Sequence, residues 1–126
     1  MEPIDRAGTE ERLELERAEV ARLVGALTVE LDEIVDSVSL SNNDDEHDPD
    51  GATNGYERAK ATAVLRHAEE RLVELDRAAA RLREGTYGRC EACGKPIGDA
   101  RLDAIPAARL CVEDQAQAER QANFGT

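Results

Sequence analysis

Seven residues spaced alternately four and three apart, Ala61, Leu65, Ala68, Leu72, Leu75, Ala79 and Leu82, constrain this chain more than any other feature. That rhythm places one apolar stripe on a helix, and a stripe of that kind needs a partner helix. An earlier stretch supplies one. Leu13, Val20, Leu27 and Ile34 recur every seven residues, and Arg17, Val24, Leu31 and Val38 form a second series offset by four. Only Arg17 is out of character in that seam. Thr9 followed by Glu10 and Glu11 predicts an N-cap and a first helix over about Thr9 to Ser39. Asn54 with Glu57 predicts the start of the second helix, and Gly85 its stop. Two helices of near-equal length joined by about fifteen polar residues fold back most simply as an antiparallel hairpin within one chain. Pairing between two chains has the same periodicity.

Large side chains are scarce. The 126 residues include Tyr56, Tyr87 and Phe124 and no Trp, while 35% are charged, a composition suited to long exposed helices rather than a deep core. The 28 acids against 16 Lys and Arg give a net charge of −12, which argues against direct nucleic-acid binding, since phosphate neutralisation needs a basic face. The first residues show no apolar signal segment, and no run approaches membrane-spanning length. A cytoplasmic, membrane-free protein is expected.

After Gly85 the pattern changes to Gly, Pro and short apolar knuckles at Tyr87, Ile97, Leu102, Ile105 and Leu110, followed by a helical stretch from Val112 to about Ala122. Within it, Cys90-Glu91-Ala92-Cys93 is joined by seventeen residues to Cys111-Val112-Glu113-Asp114. Paired ligands at this spacing mark a treble-clef or ribbon-type zinc site, in which each turn offers two corners of a tetrahedron. Asp114 occupies the corner where a fourth cysteine is usual. Cysteines in a chain without an export signal read better as metal ligands than as disulfides. One structural zinc is expected on Cys90, Cys93, Cys111 and Asp114, in a finger too small to fold on apolar burial alone. Three reduced thiols in a finger without metal is the competing reading.

Between the two helices the chain carries five acids from Asp44 to Asp50. The bland reading is a solvated turn; the sharper one is a cluster awaiting a cationic partner. A third reading comes from Glu46-x-Asp48-x-Asp50-Gly51 with Glu57, which fits a twelve-residue calcium loop at five positions. Glu46 at its start, Pro49, Thr53 and the lack of a paired loop all oppose it. His67 sits off the seam and reads as a surface residue. His47, among the acids, would hold its proton more tightly than a free imidazole.

The run Gly85-Thr86-Tyr87-Gly88-Arg89-Cys90-Glu91-Ala92-Cys93-Gly94-Lys95-Pro96-Ile97, with Arg101-Leu102-Asp103-Ala104-Ile105-Pro106 and Cys111-Val112-Glu113-Asp114-Gln115, resembles the DksA/TraR zinc-finger family. The similarity extends back to the tip and covers roughly residues 45–118. The resemblance implies a bacterial transcription regulator that binds RNA polymerase without touching DNA. Its hairpin would enter the secondary channel and bring an acidic tip near the active centre. The family's tip motif is Asp-x-x-Asp-x-Ala. Counted back from Cys90, its second Asp and its Ala fall on Asp50 and Ala52; its first falls on His47, or on Asp48 if the loop is one residue shorter. Members that respond to guanosine tetraphosphate carry basic side chains where this chain has Glu74, Ile105 and Gln115, so no such response is expected.

The expected organisation is mainly α: a flexible N-terminus over 1–8, a coiled-coil hairpin over 9–84 with its acidic tip at 41–55, and a DksA/TraR-like zinc finger with a C-terminal helix over 85–126. The expected function is a monomeric, non-enzymatic regulator whose polymerase-effector tip is Asp48, Asp50 and Ala52. A coiled-coil adaptor with a structural zinc finger is the alternative, and it would tolerate loss of Asp50. An enzyme finds no support, because Cys90-x-x-Cys93 lacks the strand framework of a redox pair and no phosphate-cradling glycine loop is present.

Overall fold

The computed structural model describes residues 5–41 and 49–124, with side chains over 5–36 and 55–123. Four helices follow in order: α1 (Arg6–Ser41), α2 (Pro49–Glu84), α3 (Asp99–Ala104) and α4 (Val112–Phe124). Among the described residues the only β-type pairing is one antiparallel bridge, Arg89 to Pro96. No described helix is long and apolar enough to cross a membrane. The fold is mainly α, a long antiparallel helical hairpin carrying a small finger and a C-terminal helix.

α1 begins three residues before the predicted Thr9. Asp5 takes the capping role: its Oδ1 accepts from the Gly8 N–H at 3.1 Å, and its backbone carbonyl accepts from the Thr9 N–H at 2.9 Å. That satisfies one of the orphan donors of the first turn. The second start also differs. α2 begins at Pro49 and runs through Asn54, so Asn54 is not its cap. Proline at a first helical position loses nothing, since its missing N–H would have no partner there. The residues between the helices are thus 42–48, fewer than the fifteen expected. Residues 50–57 being helical also removes the calcium-loop reading, which needs them as a loop. At the other end α2 stops as predicted. Gly85 has φ +84°, and the Thr86 N–H returns to the Arg81 carbonyl at 2.9 Å, the six-to-one bond of a Schellman stop.

The residues group into two compact units. One comprises Ala18–Val73, the other Met1–Arg17 with Glu74–Thr126. In the Ala18–Val73 unit the stripe Val20, Val24, Leu27, Leu31 and Ile34 of α1 is buried or half-buried, as are Ala61, Leu65, Ala68 and Leu72 of α2. Leu27, Ile34, Ala61 and Val64 line one hollow there. The alternation of Ala with Leu on α2 permits close approach of the axes.

In the other unit Leu13 of α1 shares a hollow of ≈ 200 Å³ with Leu75, Ala79 and Leu82 of α2. Leu75 is 1% exposed and Ala78 fully enclosed. Arg17 leaves the seam: its Nε donates to Asp76 Oδ1 at 2.6 Å on the exposed flank. Glu16 occupies the half-buried position instead. The odd residue in the heptad is an inter-helix ion pair.

The finger belongs to this second unit and folds around Tyr87, Ile97, Leu102 and Ala108, all buried. Its first knuckle is a short ribbon, with the Cys90 N–H donating to the Lys95 carbonyl and the Ile97 N–H to the Gly88 carbonyl, both at 2.8 Å. The buried Tyr87 Oη donates to the Pro106 carbonyl at 2.7 Å and ties the ribbon to the segment after α3.

Candidate metal centre

Two knuckles bring the donors together. Gly94 closes the first in the left-handed conformation at φ +76°, where its N–H returns to the Cys90 carbonyl at 2.9 Å and folds Cys93 back beside Cys90. The second is the start of α4. Cys111 precedes its first residue, the Gln115 N–H donates to the Cys111 carbonyl at 2.9 Å, and the Asp114 N–H lies 3.5 Å from Cys111 Sγ. The positive end of a helix therefore faces two of the donors, which favours anionic ligands.

The four ligand atoms of Cys90, Cys93, Cys111 and Asp114 all lie within 4.8 Å of one another. Asp114 Oδ2 accepts from Cys90 Sγ at 3.0 Å and from Cys111 Sγ at 3.2 Å, and Cys93 Sγ lies 4.0 Å from Cys111 Sγ. A tetrahedral ion bonded to sulfur at ~2.3 Å has ligand–ligand edges of ~3.8 Å. Three sulfurs and one oxygen at these separations fit zinc. Burial is uneven: Cys90 is buried, Cys111 and Asp114 are half-buried, and Cys93 is exposed.

The local electrostatics differ from donor to donor. Desolvation and the Asp114 carboxylate oppose ionisation of Cys90, yet the backbone N–H groups of Cys111, Cys93 and Ala92 outweigh them and hold its thiol below the usual range. For Cys93 the Lys95 backbone N–H favours the thiolate, but Asp114, desolvation, Cys90 and Cys111 together push its thiol up to about 12. Hydrogen bonds from Cys90, Cys93 and Cys111 hold the Asp114 carboxyl below its usual range.

Around this cluster the sequence reading missed a hub. Glu91, inside the first Cys-x-x-Cys, receives Arg109 at 3.3 Å and Arg81 of α2 at 3.6 Å, and its N–H donates to the Arg109 carbonyl at 2.9 Å. Arg81 also reaches the Ala107 carbonyl at 3.4 Å, and Arg12 of α1 grips Asp103 through its side chain at 3.2 Å and its carbonyl at 2.9 Å. One acid between two predicted ligands with arginines on either side in sequence was the available signal for Glu91. Nothing in the sequence pointed to Arg12. Of the tip residues, Asp48 lies outside the described residues, as do His47 and the side chains of Asp50 and Ala52. Glu74 and Ile105 are exposed, and Gln115 is half-buried with its amide on Glu119 at 3.1 Å.

Fold and site together define a class: a helical hairpin whose base carries a compact finger with four clustered donors. Residues 85–120 match the prokaryotic dksA/traR C4-type zinc finger. The chain is 41% identical over 80 residues to General stress protein 16O of Bacillus subtilis, covering 64% of this chain and 49% of that protein. It is 38% identical to the RNA polymerase-binding transcription factor DksA of Caulobacter vibrioides, over 57% of this chain and 51% of the relative. The chain thus spans about half the length of these two relatives. The structure of transcription factor DksA2 from Pseudomonas aeruginosa superposes with a TM-score of 0.73 at 25% identity, covering 94% of this chain and 85% of that one.

Residues 85–120 are thus a finger of the dksA/traR type, carried on a fold similar to that of DksA2. Its cofactor is one structural zinc. It departs from the family's C4 ligand set at Asp114.

Proposed function

We propose that this chain is a non-enzymatic bacterial transcription regulator that binds RNA polymerase. In this reading it enters the secondary channel as a cytoplasmic monomer, presents Asp48, Asp50 and Ala52 near the active centre, and makes no direct contact with DNA. Its zinc is held by Cys90, Cys93, Cys111 and Asp114. The observation that carries the reading is likeness to a solved transcription factor of this family across 94% of the chain, joined to the finger match at 85–120. The −12 net charge supports a protein partner rather than a nucleic acid. Glu74, Ile105 and Gln115 offer no cation to a polyphosphate, which supports independence from guanosine tetraphosphate.

A carboxylate beside the catalytic magnesium ions of a polymerase would perturb metal or substrate placement, and a change of ~1.4 kcal/mol there alters a rate tenfold. Asp50→Asn keeps shape and removes charge. It is expected to leave polymerase binding intact while abolishing the effect on initiation in a purified transcription assay. Equal effects of wild type and Asp50→Asn, with both bound, would remove the tip from the mechanism. If wild type fails to bind polymerase, the adaptor reading replaces this one.

A further inference from the structure

We propose that the metal centre is an exchangeable zinc site in which Asp114 is the limb that opens and Cys93 the edge at which an incoming chelating ligand meets the metal. This rests on the ligand assignment just given. The four donors are unequal in both chemistry and access. Cys90 is 3% exposed, held by the ribbon bond from its own N–H to the Lys95 carbonyl. Cys93 is exposed, and nothing lies within 4 Å of the position a Cβ would take on the adjacent Gly94, so the space beside the knuckle is open. A ligand arriving from solvent reaches this edge and not Cys90.

Zinc is borderline-soft and has no geometric preference from its d-electrons, so a bound ion could pass briefly through five-coordination as one donor replaces another. The donor it gives up most readily is the hard carboxylate rather than a thiolate. Asp114 is placed for this. Its backbone is fixed by the first turn of α4, where its N–H faces Cys111 Sγ, so the side chain can swing aside without unwinding the helix. The knuckle holding Cys90 is closed by backbone bonds that do not involve a ligand atom. Exchange therefore proceeds by entry of the chelator at Cys93, departure of the Asp114 oxygen, and stepwise release of the thiolates. The divalent ion leaves with the chelator, the thiolates take protons from water, and no oxidation occurs. The metal supply then sets how much of the protein carries a loaded finger.

The test uses the full chain purified with zinc, together with Asp114→Cys and Asp114→Asn. Elemental analysis first fixes the metal content. Each protein is then mixed with excess 4-(2-pyridylazo)resorcinol, and release is followed by the colour of the zinc complex while far-UV circular dichroism follows the helices. Changes in groups behind the ligands alone shift zinc affinity by roughly 10–100-fold, so exchange of a ligand itself should move the release rate at least about tenfold. The expected order is Asp114→Asn fastest, then wild type, then Asp114→Cys, with the larger part of the helical signal, that of α1 and α2, retained in wild type. Equal rates for wild type and Asp114→Cys at one zinc each would overturn the proposal, as would release that occurs only when α1 and α2 unfold as well. Should Asp114→Cys not fold, equal rates for Asp114→Asn and wild type overturn it. A chain that neither carries nor takes up zinc fails the ligand assignment itself, and this proposal with it.

Discussion

Leu75→Ala is the sharpest test of how the hairpin is held at its finger end. Leu75 is 1% exposed and shares a hollow with Leu13, Ala79 and Leu82. Truncation removes the equivalent of three buried carbon groups at ~0.8 kcal/mol each, about 2.4 kcal/mol of transfer free energy. A cavity term adds to this, and measured Leu→Ala costs run to about 5 kcal/mol where the surroundings stay rigid. Here the adjoining hollow of ≈ 200 Å³ is lined not only by Leu13, Ala79 and Leu82 but also by Arg6, Glu10, Arg17 and Arg83. Water enters such a site, so the cavity term is small and the total should lie near 3 kcal/mol. For a chain of this size that lowers Tm by about 10 °C. The control is Leu15→Ala, on the same helix as Leu13 but 62% exposed, with an expected change within about 0.5 kcal/mol. Urea and thermal unfolding followed at 222 nm measure both. Equal midpoints for the two variants would refute the seam register proposed for this end.

Tyr87→Phe leaves the Pro106 carbonyl without its donor and should cost about 1–2 kcal/mol in urea unfolding. Burial holds the Tyr87 phenol above its usual range, so the folded state favours the neutral form. That contribution is complete below the ordinary tyrosine pKa of ~10 and is lost as pH rises beyond it; a pH–stability profile of Tyr87→Phe should lack that limb, and an unaltered profile would exclude Tyr87 as its source. Glu91→Gln weakens the links to Arg81 and Arg109. These contacts are partly exposed, so the loss should be about 1 kcal/mol or less, read as earlier hydrogen exchange at finger amides with helix amides unchanged. Zinc uptake at pH 7 should release protons, that of Cys93 among them because its thiol lies at about 12. Calorimetry in buffers of different ionisation enthalpy should show affinity falling as pH falls, and one proton fewer for Cys93→Ser; uptake without proton release would contradict a thiolate site.

The seam and the donor cluster were legible because each is a spacing. Leu65, Ala68, Leu72 and Leu75 declare a helix face through period alone, and Cys90, Cys93, Cys111 and Asp114 declare a polyhedron. Helix starts were less legible. Asp5 and Thr9 are both good caps, and the sequence does not say which turn the chain enters first. Asn54 likewise lost to Pro49, whose fixed φ suits the first position of a helix. The contacts fastening the finger, Arg12 to Asp103 and Glu91 to Arg81, were not legible. They join residues far apart in the chain and leave no periodic trace.

The grip of Arg12 on Asp103 spans 91 residues, and Arg6 reaches the Arg83 carbonyl across 77. Chain synthesis produces the first turns of α1 long before either partner exists. Those turns can pack on Leu75 and Leu82 once α2 is made, but the link from Arg12 to Asp103 waits for the finger, and closing so long a loop carries an entropic cost. The finger adds the last fastening to the first turns of α1. Removing residues after Glu84 should keep Leu13 against Leu75 and Leu82 but release Arg12, with proteolysis at Arg12 faster than in the full chain.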